Sequence, residues 1–431
     1  MRYFSTRDNS HYHPFSLSEA AFLGLAPDGG LFVPEHVPLV DFDNILEMSD
    51  GKDGFRNVAL YAAGRYFAED IPPDVLKDVI WKAFDFDVVL NNIDGKLFTL
   101  ELFHGPTLAF KDIGARFMGQ MFRRLDRSDE EIIILAATSG DTGSAVANGF
   151  LGVEGIKVVL LYPEGKVSPL QEAQMTSLGS NICPLRVKGT FDDCQRLVKQ
   201  AFADKALRSK KHITSANSIN LLRWIPQSFY YLYATALWIR ATGGAAPDIA
   251  VPSGNYGNLS AGMLAATSGM PVRQFIAASN ANDVIPEFLK TGLFRPRPSI
   301  RTLANAMDVG NPSNFERMMW LANGKIDLLQ KSIKGYSADD DMIKEAISEM
   351  YRLYGYVSDP HSAVGYLAAS RYGIDGYWLS TAHHAKFGNV IKDALGMEAT
   401  LPPSLQKAME AKHLSTPIPA DLKALEEILF S

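Results

Sequence analysis

The sequence is poor in cysteine and has no long apolar run, and each shortage excludes a class of protein. Only Cys183 and Cys194 occur among 431 residues, too few for a disulfide-stapled secreted fold, so a reducing compartment is expected. The longest apolar-rich stretch, residues 230–239, is too short to cross a bilayer. No apolar signal core follows Met1. We therefore expect a cytoplasmic protein without a membrane partner.

An excess of charge of one sign is also missing. The chain carries 42 Lys and Arg against 48 Asp and Glu, a formal net charge of −6, which argues against nucleic acid as the main partner. The basic run at residues 208–211 is typical of a solvated loop. The nine histidines form no HExxH motif and have no carboxylates at zinc-like spacing. We therefore expect no catalytic metal.

Beyond its first ninety residues the sequence alternates strand and helix patterns. Helix patterns capped by Ser168 and Thr190 lie between the strand patterns. This order predicts an α/β protein with mostly parallel open sheets and helices on both faces, after a helical, loop-rich N-terminal part. The proline-rich last thirty residues predict a tail over the body. Short apolar runs, typical of strands buried on both faces, occupy residues 131–137, 157–162, 249–251, 275–278 and 377–380.

Three loops that follow predicted strands are rich in Gly, Ser, Thr, Asn and Asp, namely residues 138–144, 252–258 and 380–384. Ligands of open α/β sheets bind at the carboxyl edge, where such loops emerge. We therefore expect the three loops to form a polar pocket at one edge of the sheet. Turns and helix N-caps use the same residue types, and that alternative stays open for each loop by itself.

The middle loop has the properties of an anion cradle. Gly254 and Gly257 permit close backbone approach, and a helix expected to begin near Asn258 would direct free N–H groups at the pocket. Neither the GxGxxG nor the GxxxxGK[ST] pattern is matched here. A small phosphate monoester is therefore favoured over a dinucleotide or a triphosphate.

Lys111 is the candidate reactive amine. The apolar residues at 113, 117, 118, 121 and 122 describe one face of a helix, which puts Lys111 at or just before its first turn. The positive end of the helix dipole and the apolar neighbours at 108–110 both disfavour an ammonium there. They favour the neutral amine that forms a Schiff base. The alternative is a surface lysine at a helix end.

Six segments of the chain resemble those of the threonine synthase family, in its longer bacterial and fungal branch. The segment LGLAPDGGLFVP at 23–34 resembles the N-terminal extension of that branch. The likeness runs in order from near residue 20 to near residue 390. The six segments are HGPTLAFKD at 104–112, TSGDTG at 138–143, YPEGKVSP at 162–169, SANSIN at 215–220, PSGNYG at 252–257 and TAHHAK at 381–386.

The resemblance implies a fold type II pyridoxal 5'-phosphate enzyme that converts O-phospho-L-homoserine and water to L-threonine and phosphate. Lys111 would hold the cofactor as a Schiff base and move protons during the reaction. Thr381 would face the pyridine nitrogen. Asp141 stands near the cofactor ring hydroxyl where many relatives have Asn, and would accept a hydrogen bond or keep a proton. The cofactor phosphate would be cradled by Gly254, Asn255, Tyr256, Gly257 and Asn258.

The substrate needs anion sites of its own. The turn from Ser139 to Thr142 is a candidate seat for the substrate carboxylate, at a helix start. Arg223 has the alternative of a surface ion pair. The candidates for the substrate phosphate are Lys166, Ser168, Ser215, Asn217 and Arg223.

The sequence divides into three predicted domains: an N-terminal extension at 1–95, a lysine-bearing α/β domain at 96–215, and a cofactor-phosphate-binding α/β domain with a tail at 216–431. We expect a monomer or a homodimer. Two other functions stay open at this point. One is a serine or threonine dehydratase-like lyase, and the other is a catalytically inactive ligand-binding homologue.

Overall fold

The computed structural model describes residues 1–8, 10–125, 131–138 and 140–430. The N-terminal part is helical and loop-rich, as expected. Its helix α3 packs on α11 and its helix α4 packs on α5, both of which belong to the body of the protein (bounds below). The elements in chain order are β1 (Tyr3–Ser5), α1 (Leu17–Leu23), β2 (Phe32–Pro34), α2 (Phe42–Met48), α3 (Gly54–Phe67) and α4 (Pro73–Ala83).

The middle of the chain alternates strands and helices. Two caps predicted from the sequence are present: the Ser168 side chain accepts from Gln171 N, and Thr190 forms a capping box with Asp193. The elements are β3 (Val89–Asn92), β4 (Phe98–Glu101), α5 (Lys111–Leu125), β5 (Ile132–Ala137), α6 (Asp141–Phe150), β6 (Ile156–Pro163), α7 (Pro169–Thr176), β7 (Ile182–Lys188), α8 (Phe191–Ala203), α9 (Lys205–Arg208), β8 (His212–Thr214), α10 (Leu221–Trp224) and α11 (Gln227–Thr242).

The last part continues the alternation and ends in the tail. Short 3-10 turns occupy Asn305–Met307 and His384–Phe387. The elements are β9 (Asp248–Pro252), α12 (Gly257–Thr267), β10 (Gln274–Ser279), α13 (Val284–Thr291), α14 (Phe315–Leu321), α15 (Ile326–Ser332), β11 (Ile333–Ser337), α16 (Asp340–Tyr354), α17 (Pro360–Tyr372), β12 (Gly376–Ser380), α18 (Gly388–Leu395), α19 (Pro403–Glu410), β13 (Thr416–Pro419) and α20 (Leu422–Phe430).

The strands form three sheets. A six-stranded sheet has the order β11-β10-β9-β12-β4-β3 and is parallel except for the β3–β4 pair. A five-stranded sheet, order β13-β7-β6-β5-β8, is parallel throughout. β1 and β2 form a small antiparallel pair. The five predicted strands and the mostly parallel α/β class are therefore confirmed.

The expectation that all three polar loops lie at one edge of one sheet is wrong. The loop at 252–258 follows β9 and the loop at 380–384 follows β12, which are neighbours in the six-stranded sheet. The loop at 138–144 follows β5 of the five-stranded sheet. The sequence patterns that mark a buried strand are the same in both sheets, so they could not assign the loops to separate sheets.

Neither large sheet is contained in one predicted domain. The six-stranded sheet takes β3 and β4 from before Lys111, and the five-stranded sheet takes β13 from the tail. The division at residues 95 and 215 stays a prediction. Among the helices of the described residues, none has the length and apolar character that crossing a membrane requires.

Candidate active site

Lys111 is placed by backbone hydrogen bonds that continue past the ends of β4 and β12. β4 pairs with β12, and the chain leaving β4 stays beside the chain leaving β12. Leu102 N donates to Ser380 O at 2.9 Å, Phe110 N donates to Thr381 O at 2.9 Å, and His383 N donates to Leu108 O at 3.0 Å. The first residue of α5 is therefore held next to Thr381.

The environment of Lys111 favours the neutral amine. Its side chain is 17% exposed. Burial is the main cause of a lowered pKa, and the like charges of Lys386 and Arg223 lower this pKa further, whereas Asp141 opposes them. The direction agrees with the expectation from the helix start and the apolar neighbours. A lysine with a lowered pKa loses its proton more readily and can act as a nucleophile or base.

Asp141, the first residue of α6, is an ionised carboxylate held by two lysines. Its Oδ1 accepts from Lys386 Nζ at 2.7 Å and from Gln171 Nε2 at 3.0 Å, and its Oδ2 lies 3.9 Å from Lys111 Nζ. Burial alone would raise the pKa of Asp141, but the lysine charges and these hydrogen bonds together hold it well below its ordinary value. We expected Asp141 either to accept a hydrogen bond or to keep a proton. The geometry fits a carboxylate that accepts hydrogen bonds.

Lys386 and Gln171 are site residues that sequence reasoning missed. Both lie within or next to segments that resemble the family, but lysines are mostly exposed and glutamines mostly serve helix surfaces. Nothing in the local pattern distinguishes Lys386, whose side chain is fully buried. The signal that marks Lys386 is its buried position beside the carboxylate of Asp141, and that position is known only from the fold.

The loop at 253–258 turns tightly between β9 and α12. An added Cβ on Gly254 would lie 2.6 Å from Met307 Cα, so glycine is needed there by close approach of a neighbouring backbone. Asn255 Oδ1 accepts from Ser313 N at 2.7 Å. Tyr256 has a φ of +59° and ends the loop, and α12 begins at Gly257, one residue before the expected start. The first N–H groups of this helix have no acceptor within it.

Asn258 carries an unpartnered donor that fits a phosphate. The hydroxyls of Tyr230 and Tyr231 each donate to its Oδ1 at 2.6 Å. Its Nδ2 is buried and has no hydrogen-bond partner among the described residues. A buried donor without a partner is costly unless a ligand accepts from it. Together with the start of α12, this amide fits the phosphate group of pyridoxal phosphate.

A chain of hydrogen bonds between buried polar groups holds the backbone of Thr381 in place. Its N donates to Ser362 Oγ at 2.8 Å, and Ser362 Oγ donates to Asp359. His361 Nε2 accepts from Ala306 N at 3.1 Å, so its Nδ1 carries the proton and donates to Asp359 at 2.8 Å. Asp359, His361 and Ser362 support the site without having been predicted, because their link to Thr381 is formed by tertiary contacts alone.

Arg223 is the strongest of the predicted substrate-phosphate candidates. It is 3% exposed and its Nη1 donates to Ala216 O at 2.9 Å, while its Nε has no partner among the described residues. Burial lowers the pKa of Arg223 to about 10, with Asp112 opposing. The residue packs on α5: an added Cβ on Gly114 would lie 2.7 Å from Arg223 O. Ser215 Oγ is also buried and without a partner in the described chain.

The other predicted substrate residues are less enclosed. Lys166 and Asn217 are exposed, and Ser168 serves as the exposed N-cap of α7. Thr142 is half-buried in the first turn of α6, beside Asp141. Ser139 lies outside the described residues. The structure therefore brings Lys111, Asp141 and Arg223 close enough for their charges to interact. Backbone pairing places Thr381 beside Lys111.

Comparisons with known proteins match the whole chain. Three family models match: Threonine synthase N terminus over residues 2–84, Pyridoxal-phosphate dependent enzyme over 90–377, and Threonine synthase, C-terminal over 362–429. A threonine synthase of Escherichia coli (strain K12) is 41% identical over 435 residues, covering 100% of both chains. The threonine synthase of Saccharomyces cerevisiae is 36% identical and covers 91% of this chain and 89% of its own.

A solved structure of the same kind is closely similar. The crystal structure of PLP-bound threonine synthase from Brucella melitensis superposes with a TM-score of 0.94 at 33% sequence identity. It covers 100% of this chain and 98% of its own. The likeness therefore extends over the N-terminal part, both large sheets and the tail.

Proposed function

The chain belongs to the threonine synthase family, and from this premise we propose that its substrate is O-phospho-L-homoserine, converted with water into L-threonine and phosphate. Its cofactor is pyridoxal phosphate, and it is a lyase of threonine biosynthesis. The dehydratase-like and inactive alternatives have no comparable support. The observation that carries the substrate proposal is the buried guanidinium of Arg223, which has no ion pair among the described residues and whose charge acts on Lys111.

Each part of the cofactor has a group in this chain that suits it. Lys111 Nζ would bind it covalently, residues 254–258 would hold its phosphate, Thr381 would face its ring nitrogen, and Asp141 would lie by its ring hydroxyl. When bound, pyridoxal phosphate supplies the electron sink for the reaction. The residues around Lys111 lower the pKa of its amine and hold the side chain largely out of water.

In the proposed reaction, Lys111 is the residue that moves protons. Its amine would take the proton from substrate Cα, release it, and then take the proton from Cβ, because its lowered pKa suits it to act as a base at both positions. Phosphate leaves from Cγ, and the oxygen of water adds at Cβ. The two protons taken from Cα and Cβ would be returned to Cα and Cγ as L-threonine forms, and the remaining proton of the water would leave with the phosphate.

The substrate has two anionic groups, and two places in the chain suit them. A buried cation with no ion pair in the described chain is stabilised by an anionic ligand. Arg223, with Ser215 Oγ, would therefore bind the substrate phosphate. The first turn of α6 at Thr142, together with Ser139, would bind the substrate carboxylate. Lys166, Ser168 and Asn217 stay predictions, as further candidates for binding the substrate phosphate.

The test follows phosphate release and threonine formation from O-phospho-L-homoserine by the purified holoenzyme. We expect both products in equal amounts, and neither ammonia nor a keto acid. Arg223→Gln should raise KM for this substrate by about 10 to 10²-fold, the loss expected for one charge-assisted contact. Its visible cofactor band should stay as in the unmodified enzyme. Arg196→Gln, an exposed arginine on α8, is the matched control and should leave KM unchanged.

Two results would contradict this proposal. Ammonia and a keto acid as main products would favour the dehydratase-like function. An unchanged KM in Arg223→Gln, with a normal cofactor band, would remove Arg223 from the substrate phosphate site. Arg223→Lys keeps the charge and should recover part of the lost affinity.

Location and assembly are proposed on the sequence alone. We propose the cytoplasm, because both cysteines are free thiols and such thiols persist in a reducing compartment. A monomer or a homodimer is proposed, and size-exclusion chromatography with light scattering distinguishes the two. The three-domain division at residues 95 and 215 is likewise a proposal, which limited proteolysis tests.

A further inference from the structure

Lys386 is a buried charge at the site that has no role in the proposed reaction. It follows β12 of the six-stranded sheet, whereas its ion-pair partner Asp141 follows β5 of the five-stranded sheet. The two lysines share one carboxylate, with Lys386 2.7 Å from Oδ1 and Lys111 3.9 Å from Oδ2. One carboxylate thus faces two cations, of which one must become neutral for the reaction.

Hydrogen bonding to the backbone does not explain the charge of Lys386. Its Nζ also donates to Thr107 O at 2.7 Å, but a neutral carbonyl accepts from a neutral amine as well as from an ammonium. A buried ammonium is costly unless it is paired. The partner that requires a positive charge is Asp141.

The charged groups that face Lys111 come from three elements. Asp141 lies on α6, Arg223 on α10, and Lys386 in the turn after β12. The ring of Phe110 adds an apolar neighbour, 5.9 Å from Lys111 Nζ. An opposite charge within 4–6 Å stabilises the charged form of an amine. Without Lys386, Arg223 would be left as the charge, of the three named here, that opposes the effect of Asp141 on Lys111.

We propose that Lys386 is a positioning residue that takes up the charge of Asp141 and so makes it easier for the amine of Lys111 to lose its proton. The inference rests on the proposed attachment of pyridoxal phosphate at Lys111. It adds that the second lysine, which touches neither substrate nor cofactor in the proposed reaction, sets the pH range over which that attachment forms. Asp141 then stays ionised beside the cofactor ring.

The experiment measures attachment, not turnover. The full-length protein is freed of cofactor and mixed with pyridoxal phosphate across a pH series, borohydride fixes the adduct, and peptide mass spectrometry quantifies it at Lys111. Lys386→Met should move the midpoint of the attachment rate up by about 1 to 3 pH units. Asp141→Asn should move it down. The double variant, which removes both charges, should return towards the unmodified protein.

The controls separate charge from packing. Lys386→Arg keeps the charge and should keep the midpoint, and Lys386→Gln repeats the Met test if the Met variant folds poorly. Lys392→Met, which removes an exposed, paired lysine on α18, should change nothing. A midpoint that does not move, or moves down, in both Lys386→Met and Lys386→Gln would overturn the inference. An adduct found at another residue in the unmodified protein would instead overturn the proposed attachment at Lys111.

Discussion

Asp112, the residue after the reactive lysine, shows how burial alone changes an acid. Its side chain is fully buried and accepts from Thr107 N at 2.9 Å and from Thr107 Oγ1 at 2.6 Å. Burial raises the pKa of Asp112 from 3.8 to about 6, although the Thr107 hydrogen bonds and the charges of Lys386 and Arg116 oppose it. The folded protein therefore binds this proton more tightly than the unfolded chain does.

This difference predicts a pH-dependent loss of stability. Because the folded pKa is the higher one, the contribution is present below pH 3.8 and is lost as pH rises towards about 6. The full difference is roughly 3 kcal/mol at 1.36 kcal/mol per pKa unit. Relative to Asp112→Asn, the unmodified protein should lose free energy of unfolding between pH 4 and pH 6. Urea unfolding at pH 4, 5, 6 and 7 measures this, and parallel curves for the two proteins would contradict it.

At the scale of elements, α11 fixes the orientation of a side-chain amide on α12. Tyr230 and Tyr231 are consecutive on α11, and both hydroxyls donate to Oδ1 of Asn258 near the start of α12. Because the two hydroxyls hold Oδ1 of Asn258, its Nδ2 points away from α11. The pairing of two helices thereby fixes the direction of a group that is proposed to bind the cofactor phosphate.

Removing both hydroxyls should weaken cofactor binding as well as the fold. In the double variant Tyr230→Phe with Tyr231→Phe, Asn258 loses two hydrogen bonds and its amide is free to turn. A cost of about 1 to 3 kcal/mol in stability is expected for the buried acceptor. The Kd for pyridoxal phosphate should rise by about tenfold in a fluorescence titration. Tyr377→Phe, which loses a buried hydroxyl contact with Thr235, should cost stability without changing that Kd.

At the scale of the whole molecule, distant parts of the chain complete each sheet. The tail adds β13 to the outer side of β7, and α20 packs on α8. Leu425 and Leu429 of α20 are fully buried in the same cluster as Leu197. The tail therefore covers an edge strand that would otherwise offer unpaired backbone groups.

The tail should contribute measurably to stability although it lies far from Lys111 in sequence. Leu429→Ala removes a buried side chain and should destabilise the protein by about 2 to 4 kcal/mol. Leu353→Ala, at a position that is 48% exposed, should cost less than about 0.5 kcal/mol. The midpoints of urea unfolding compare the two. Equal midpoints would show that the tail is not part of the cooperative fold.

Local pattern predicted five of the strands, two helix caps and Lys111 as the candidate amine. The apolar runs gave β5, β6, β9, β10 and β12, because a strand buried on both faces needs an unbroken apolar segment. The spacing of apolar residues after Lys111 gave α5 and its first residue. The caps at Ser168 and Thr190 are local hydrogen bonds within three residues and could be read directly.

Tertiary structure alone decided which sheet each strand joins and which charges meet. Strand pairing depends on contacts between distant residues, so the sequence pattern could not separate the loop after β5 from those after β9 and β12. Lys386 was not distinguished from other lysines, because its burial and its contact with Asp141 exist only when two sheets come together. The sequence by itself predicted these elements and the candidate amine of Lys111, and the packing of the two sheets decided the electrostatic environment of that amine.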